Sequence, residues 1–180
     1  MFHSNTERLI DYWRMRKVER LSPLRSAIDP SDFTDLLPQI FILGRAAPGQ
    51  FLFRLAGGLV SDLHQRDLRR NDLLSVWAHA DRPRLSAALE AARRAAEPIV
   101  LTAEGRTAEG LTAKIEILMA PLRADGVPQD RFLGLYQSLS PLVLLQGKPI
   151  EELGLIRFAS AEDRIQPNLR LVVNDGQRIA

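Results

Sequence analysis

The residues of this chain most able to do chemistry are its carboxylates and histidines, and their spacing limits what they could do. Asp62, Asp67 and Asp72 recur at intervals of five. Neither a helix nor a strand brings such a set to one side, so they do not make a paired general acid and base, and they suit solvated or capping positions. Glu90 with Arg94, and Arg93 with Glu97, stand four apart in a predicted helix, the spacing of exposed ion pairs worth about 0.3 to 0.5 kcal/mol each. His3, His64 and His79 lack the spacing of a zinc site, so no metal is expected. The chain has no cysteine, no serine in a nucleophile elbow and no glycine loop of the kind that cradles phosphate. No reaction is named by this residue pattern.

A length of 180 residues suits one domain with terminal extensions, and 46% apolar with 26% charged residues is the make-up of an ordinary globular protein. No apolar run approaches the roughly 20 residues that span a bilayer, and the start, MFHSNTERLIDYW, has no leader pattern. With no cysteine present, a cytoplasmic protein without disulfides or membrane insertion is expected. The formal charge is +2 and the sequence pI is near 9.4. Lysine occurs only at 17, 114 and 148, which leaves 21 of the 24 cations as arginine. Arginine favours bidentate contacts with phosphate or carboxylate. No basic block is interleaved with aromatics as single-strand binders require, so the arginines read as dispersed among acids on solvated faces and nucleic-acid binding is not expected.

These residues need elements to hold them. Ser4 to Glu7 reads as a capping box opening a helix of about four turns, with Leu9, Ile10 and Trp13 on one face and Arg14, Arg16, Lys17 and Arg20 in its later part. Asp29-Pro30 signals a second, short helix carrying Phe33, Leu36 and Leu37. QIFILGR and FLFRLA flank a Pro-Gly turn and predict an antiparallel hairpin, with Phe51, Phe53 and Leu55 on one face. Gly57-Gly58 lets the backbone leave the strand. Short helical turns follow, anchored by Leu59, Val60, Leu63, Leu68, Leu73, Leu74, Val76 and Trp77. Asp81 to Glu97 is the clearest helix, with Asp81 as its cap and Leu85, Ala88, Leu89, Ala92 and Ala96 as its buried stripe. Strands are predicted at 99–104, 111–122 and 131–139, joined by turns short enough to make them antiparallel. After Pro141 the pattern weakens, and LRLVV at 169–173 is the one further strand-like run.

The order strand, strand, short helices, longer helix and three strands resembles a PAS domain. More narrowly, Leu9 with Tyr12-Trp13, Asp29-Pro30, Leu37-Pro38, Arg54-Leu55-Ala56-Gly57, Arg66-Asp67-Leu68, Ala120-Pro121-Leu122 and Leu133-Gly134 resemble an alphaproteobacterial PAS family once catalogued as a domain of unknown function. The resemblance covers about residues 5 to 140. It implies an α+β fold, a five-stranded antiparallel sheet with helices across one face, and a regulatory role without catalysis. Gln65 and Arg70 stand where the family pattern has glycines, which implies differently shaped turns around Leu68. Among known PAS cofactors, a flavin of the light-oxygen-voltage kind needs an adduct cysteine that this chain lacks. Haem needs an axial ligand; His79, beside Trp77, is the candidate, and a helix-flanking, partly exposed histidine is the simpler reading. The cofactor is left unknown.

The expectation is therefore a helical cap at 1–37, a PAS-like core at 38–140 and an extension at 141–180 that packs loosely or awaits a partner. Leu55, Leu59, Leu73, Trp77, Leu85, Leu89, Ile115, Ile117 and Leu135 are the candidate lining of an apolar interior that takes an uncharged ligand or simply packs. Leu9, Ile10 and Trp13 are the candidate seam of a homodimer, because PAS domains often dimerise through a flanking amphipathic helix; the alternative is that this face covers the chain's own sheet. With no output segment in the chain, a signal would leave by contact with a protein partner. The rival is a small cone-shaped α+β enzyme, which would need an acid or base aimed inward; nucleic-acid binding rests on arginine content alone.

Overall fold

The computed structural model describes residues 1–124 and 127–161. The run LRLVV lies outside them. Hairpin chemistry sets the topology: β1 (Ile40–Ala47) turns at Pro48-Gly49, with Gly49 at φ 75°, into β2 (Gln50–Ala56). β3 (Ile99–Arg106) and β4 (Thr112–Ala124) are joined through a turn closed by Thr107 and Gly110, and β4 pairs along its length with β5 (Val127–Ser138). Every neighbouring pair is antiparallel, and the order across the sheet is β2-β1-β5-β4-β3-β6.

The sixth strand, β6 (Glu152–Ser160), corrects the expectation of five and of a loose extension after 140. It pairs with β3 from Ile99↔Ser160 to Arg106↔Glu152, with a bulge that leaves Ile156 without a partner. An edge strand is half exposed, and a bulge breaks the alternation that marks a strand in sequence. Leu153 is nevertheless fully buried.

The sheet buries both faces, which is why β4 reads as an almost continuous apolar run. On one face Ala113, Ile115, Ile117 and Met119 pack beneath α2 (Gly58–His64), the turn Leu73–Val76 and α3 (Arg82–Ala95). On the other, Leu118, Ala120 and Leu122 meet α1 (Ser4–Met15) and the 3-10 segment Pro30–Gln39. Tyr12 fixes that segment to the helix: its hydroxyl accepts from the Asp29 amide at 2.9 Å and donates to Asp32, and its ring meets Phe33 edge-on at 5.1 Å.

Two caps differ from expectation. His3, not Ser4, caps α1, its Nδ1 accepting from the Asn5 amide. Asp81 makes no cap bond to α3; its carboxylate accepts from the Leu155 amide at 2.8 Å and holds β6 to the helical layer. The ion pairs are also rearranged. Glu90 binds Arg45 across the fold and Arg93 three residues along its own helix, and Glu97 binds Lys17 of the N-terminal segment, in place of the i,i+4 partners. No helix of the described residues is long and apolar enough to cross a membrane.

Candidate functional site

The helix-side interior is the candidate site, and the chain fills it with its own aromatic side chains. Strand alternation sends Phe41 from β1, Phe51 and Phe53 from β2, and Phe132 and Tyr136 from β5 to this face, where all are buried. Phe41 and Phe53 rings lie 5.6 Å apart, Phe51 and Phe132 5.3 Å, and Phe41 and Tyr136 6.3 Å. Gly134 admits this arrangement: a Cβ there would sit 2.0 Å from the Phe41 ring. Gly57 serves a similar purpose. Its φ of −67° suits any residue, but a Cβ would stand 2.4 Å from the carbonyl oxygens of Leu37 and Pro38, so close approach rather than an unusual dihedral requires glycine.

One polar network crosses this apolar space. His64, the last residue of α2, is buried with Nδ1 2.8 Å from the Ile150 carbonyl and Nε2 2.9 Å from the Tyr136 hydroxyl. A carbonyl only accepts, so Nδ1 carries the proton and Nε2 accepts from Tyr136. Burial lowers the His64 pKa from 6.5 to about 4 against the opposing hydrogen bond to Ile150, with the Arg66 charge adding to the fall. Burial likewise drives the Tyr136 phenol upward. Both groups are therefore neutral at physiological pH. Trp77, also buried here, has an indole N–H with no acceptor among the described residues.

Of the sequence-derived lining residues, the fold brings Leu59, Leu73, Trp77, Leu85, Leu89, Ile115 and Ile117 together in this core. Two go elsewhere. Leu135 is buried in the opposite core, because Tyr136 takes the inward place beside it. Leu55 is 46% exposed. The pairing steps from Ile42↔Leu55 to Leu43↔Phe53, leaving Arg54 as an extra residue, and this bulge turns Leu55 to the outer face. Leu9, Ile10 and Trp13 are also corrected: all three are buried on the chain's own sheet, and Trp13 Nε1 donates to the Pro121 carbonyl at 2.7 Å. The expected dimer seam is thus an internal contact.

Sequence reasoning passed over His64, Phe41, Phe132 and Tyr136. The available signal was Val60, Leu63 and His64 at helical spacing, which places the histidine on the buried stripe. Gln65 and Arg70 keep left-handed backbones, with φ 46° and 67°, so the turns around Leu68 retain the geometry that glycine would give. His79 is exposed at the surface. Among the described residues no group of three candidate ligands could hold a metal ion. A flavin does not fit the residues present: rings occupy the interior, its histidine and tyrosine are bonded to each other, and the chain offers no adduct cysteine.

Comparison with known proteins follows the architecture. No curated protein matches the chain. The crystal structure of the Rhodobacter sphaeroides LOV protein superposes with a TM-score of 0.47 at 11% identity, covering 63% of this chain and 69% of that one. The light-state structure of the blue-light photoreceptor Aureochrome1 LOV gives 0.47 at 12% identity, covering 64% and 92%. An RNA-binding light-oxygen-voltage receptor gives 0.48 at 15% identity, covering 74% and 39%. The family model described as PAS domain matches residues 1–137, well over half of the sequence, and the chain therefore belongs to the PAS domain family.

Proposed function

We propose that the chain is a regulatory PAS module, without catalytic chemistry of its own, that passes a signal by contact with a protein partner. The observation that carries this reading is the neutral interior, whose titratable pair His64 and Tyr136 is bonded to itself. A general acid or base works best with a pKa near the operating pH. Here the inward titratable pair, His64 and Tyr136, is shifted in opposite directions away from neutrality and bonded to itself. A cone-shaped enzyme would need such a group free to meet substrate. Arg8, Arg16, Arg45, Arg69, Arg93 and Arg106 pair with carboxylates, which neutralises that part of the arginine content within the fold.

A second reading, in which an uncharged apolar molecule displaces interior rings, is favoured by Trp77, whose unpartnered N–H would suit a ligand carbonyl. Native mass spectrometry of the purified protein, followed by solvent extraction, separates the two. The expected result is the mass of the chain alone or of defined protein assemblies. A stoichiometric uncharged molecule bearing an acceptor would establish the second reading instead. A bound charged molecule, or one that the protein converts on incubation, would overturn both.

A further inference from the structure

On the outer face of the sheet, away from the filled interior, an apolar groove of about 310 Å³ runs between the segment Pro30–Gln39 and the β1–β2 hairpin. Ile40, Ile42 and Leu133 form its floor, Phe33 a wall, and Leu37 and Leu55, 38% and 46% exposed, its rim. α1 packs on this same face of the sheet and leaves the groove uncovered. Leu55 also borders a second, polar depression of about 780 Å³ containing Arg54, Arg66 and Arg69 with Asp62 and Asp67. Arg25 also lines the groove.

The cations around this surface are unevenly neutralised. Arg69 is bonded to Asp67 through two nitrogens. Arg25 donates only to the Ile28 carbonyl, and neither Arg54 nor Arg66 has a carboxylate partner among the described residues. An apolar groove thus has unpaired guanidinium groups at its border, and the bulge at Arg54 creates the juxtaposition by turning Leu55 outward beside that arginine. Guanidinium forks match carboxylates in bidentate geometry, and a buried apolar anchor inside a charged rim is the usual anatomy of a protein contact. A membrane surface is matched less well, because it needs protruding apolar side chains rather than a concavity.

We infer that this groove docks a protein segment carrying one large apolar anchor flanked by acidic residues. The inference rests on the regulatory reading above and names the surface through which the partner is engaged. A random dodecapeptide library displayed on phage and selected on the full chain supplies the probe. Enriched peptides should pair Leu, Phe or Trp with nearby Asp or Glu, and bind in fluorescence anisotropy with an affinity that falls as salt rises. Leu55→Glu and, independently, Arg54→Glu should each weaken binding about tenfold or more. Leu144→Glu, at an exposed leucine elsewhere on the surface, should not. Circular dichroism checks that each variant is folded, and Arg54→Glu alters an exposed side chain if Leu55→Glu fails to fold.

Failure to enrich such peptides, or binding by the Arg54→Glu and Leu55→Glu variants as tight as that of the unaltered chain, would overturn the inference. So would a Leu55-dependent association with phosphatidylglycerol vesicles, or a Leu55-dependent dimer in sedimentation, in place of peptide binding. Each of these results leaves the regulatory reading standing, since that reading is tested by mass spectrometry of the interior.

Discussion

His64 shows how a single side chain ties the interior to solution conditions. Its pKa is about 4 in the folded protein against 6.5 when free, so between these values the unfolded chain holds the extra proton and the folded chain does not. This contribution to stability is complete above pH 6.5 and is lost as the pH falls toward 4. At about 1.4 kcal/mol per pH unit the loss is of order 3 kcal/mol. Urea unfolding between pH 7.5 and 4.5 should show that decline, and the same series on His64→Gln should show a shallower one. Equal slopes would mean that His64 titrates normally. The same residue marks where sequence reasoning fails at this scale: a histidine in a helical stripe does not reveal the hydroxyl and carbonyl that reach it from positions 72 and 86 residues away. Gln65 and Arg70 teach the opposite lesson. Their types argue against a left-handed turn, yet the surrounding fold imposes one on both.

At the scale of elements, strong periodicity was legible and edges were not. The hairpin β1–β2, the helix α3 and the strands β3, β4 and β5 stand where turn residues and apolar spacing place them. What could not be read depends on partners distant in sequence. The bulge that turns Leu55 outward exists only because β1 fixes the register of β2, and β6 carries too broken an alternation to declare itself. Yet β6 is a working part of the domain. It covers the edge of β3, and the segment leading to it delivers Ile150 to the core and a carbonyl to His64. A chain ending at residue 146 should therefore melt far below one ending at 161. Burying Ile150 and Leu153 contributes about 1.5 to 3 kcal/mol each, which corresponds to a fall of about 6 to 24 °C in a domain of this size. Thermal denaturation followed by circular dichroism measures the difference. Equal midpoints would return residues after 146 to the status of a loose extension.

The described residues form one sheet with a core on either face, and the two tryptophans divide between them: Trp77 lies beneath α3, and Trp13 on α1 beneath the opposite surface. β4 belongs to both cores, since Ile115, Ile117 and Met119 point one way and Leu118, Ala120 and Leu122 the other. Neither layer can lose its packing without exposing one side of strands the other layer needs, so the fold should unfold as a single unit. Sequence left open whether the apolar face of the N-terminal helix meets a second copy or covers its own sheet. Its Leu9, Ile10 and Trp13 prove as fully enclosed as the residues of the central strands. Trp77→Phe leaves Trp13 as the sole indole, and Trp13→Phe leaves Trp77. In urea, the fluorescence transition of each variant should coincide with its own far-ultraviolet circular dichroism transition, one reporting the α1 side and the other the α3 side. A Trp13 signal that moves at lower urea than the circular dichroism would show that α1 leaves the sheet independently. Its apolar face would then be available to a partner after all, through an opening of the fold.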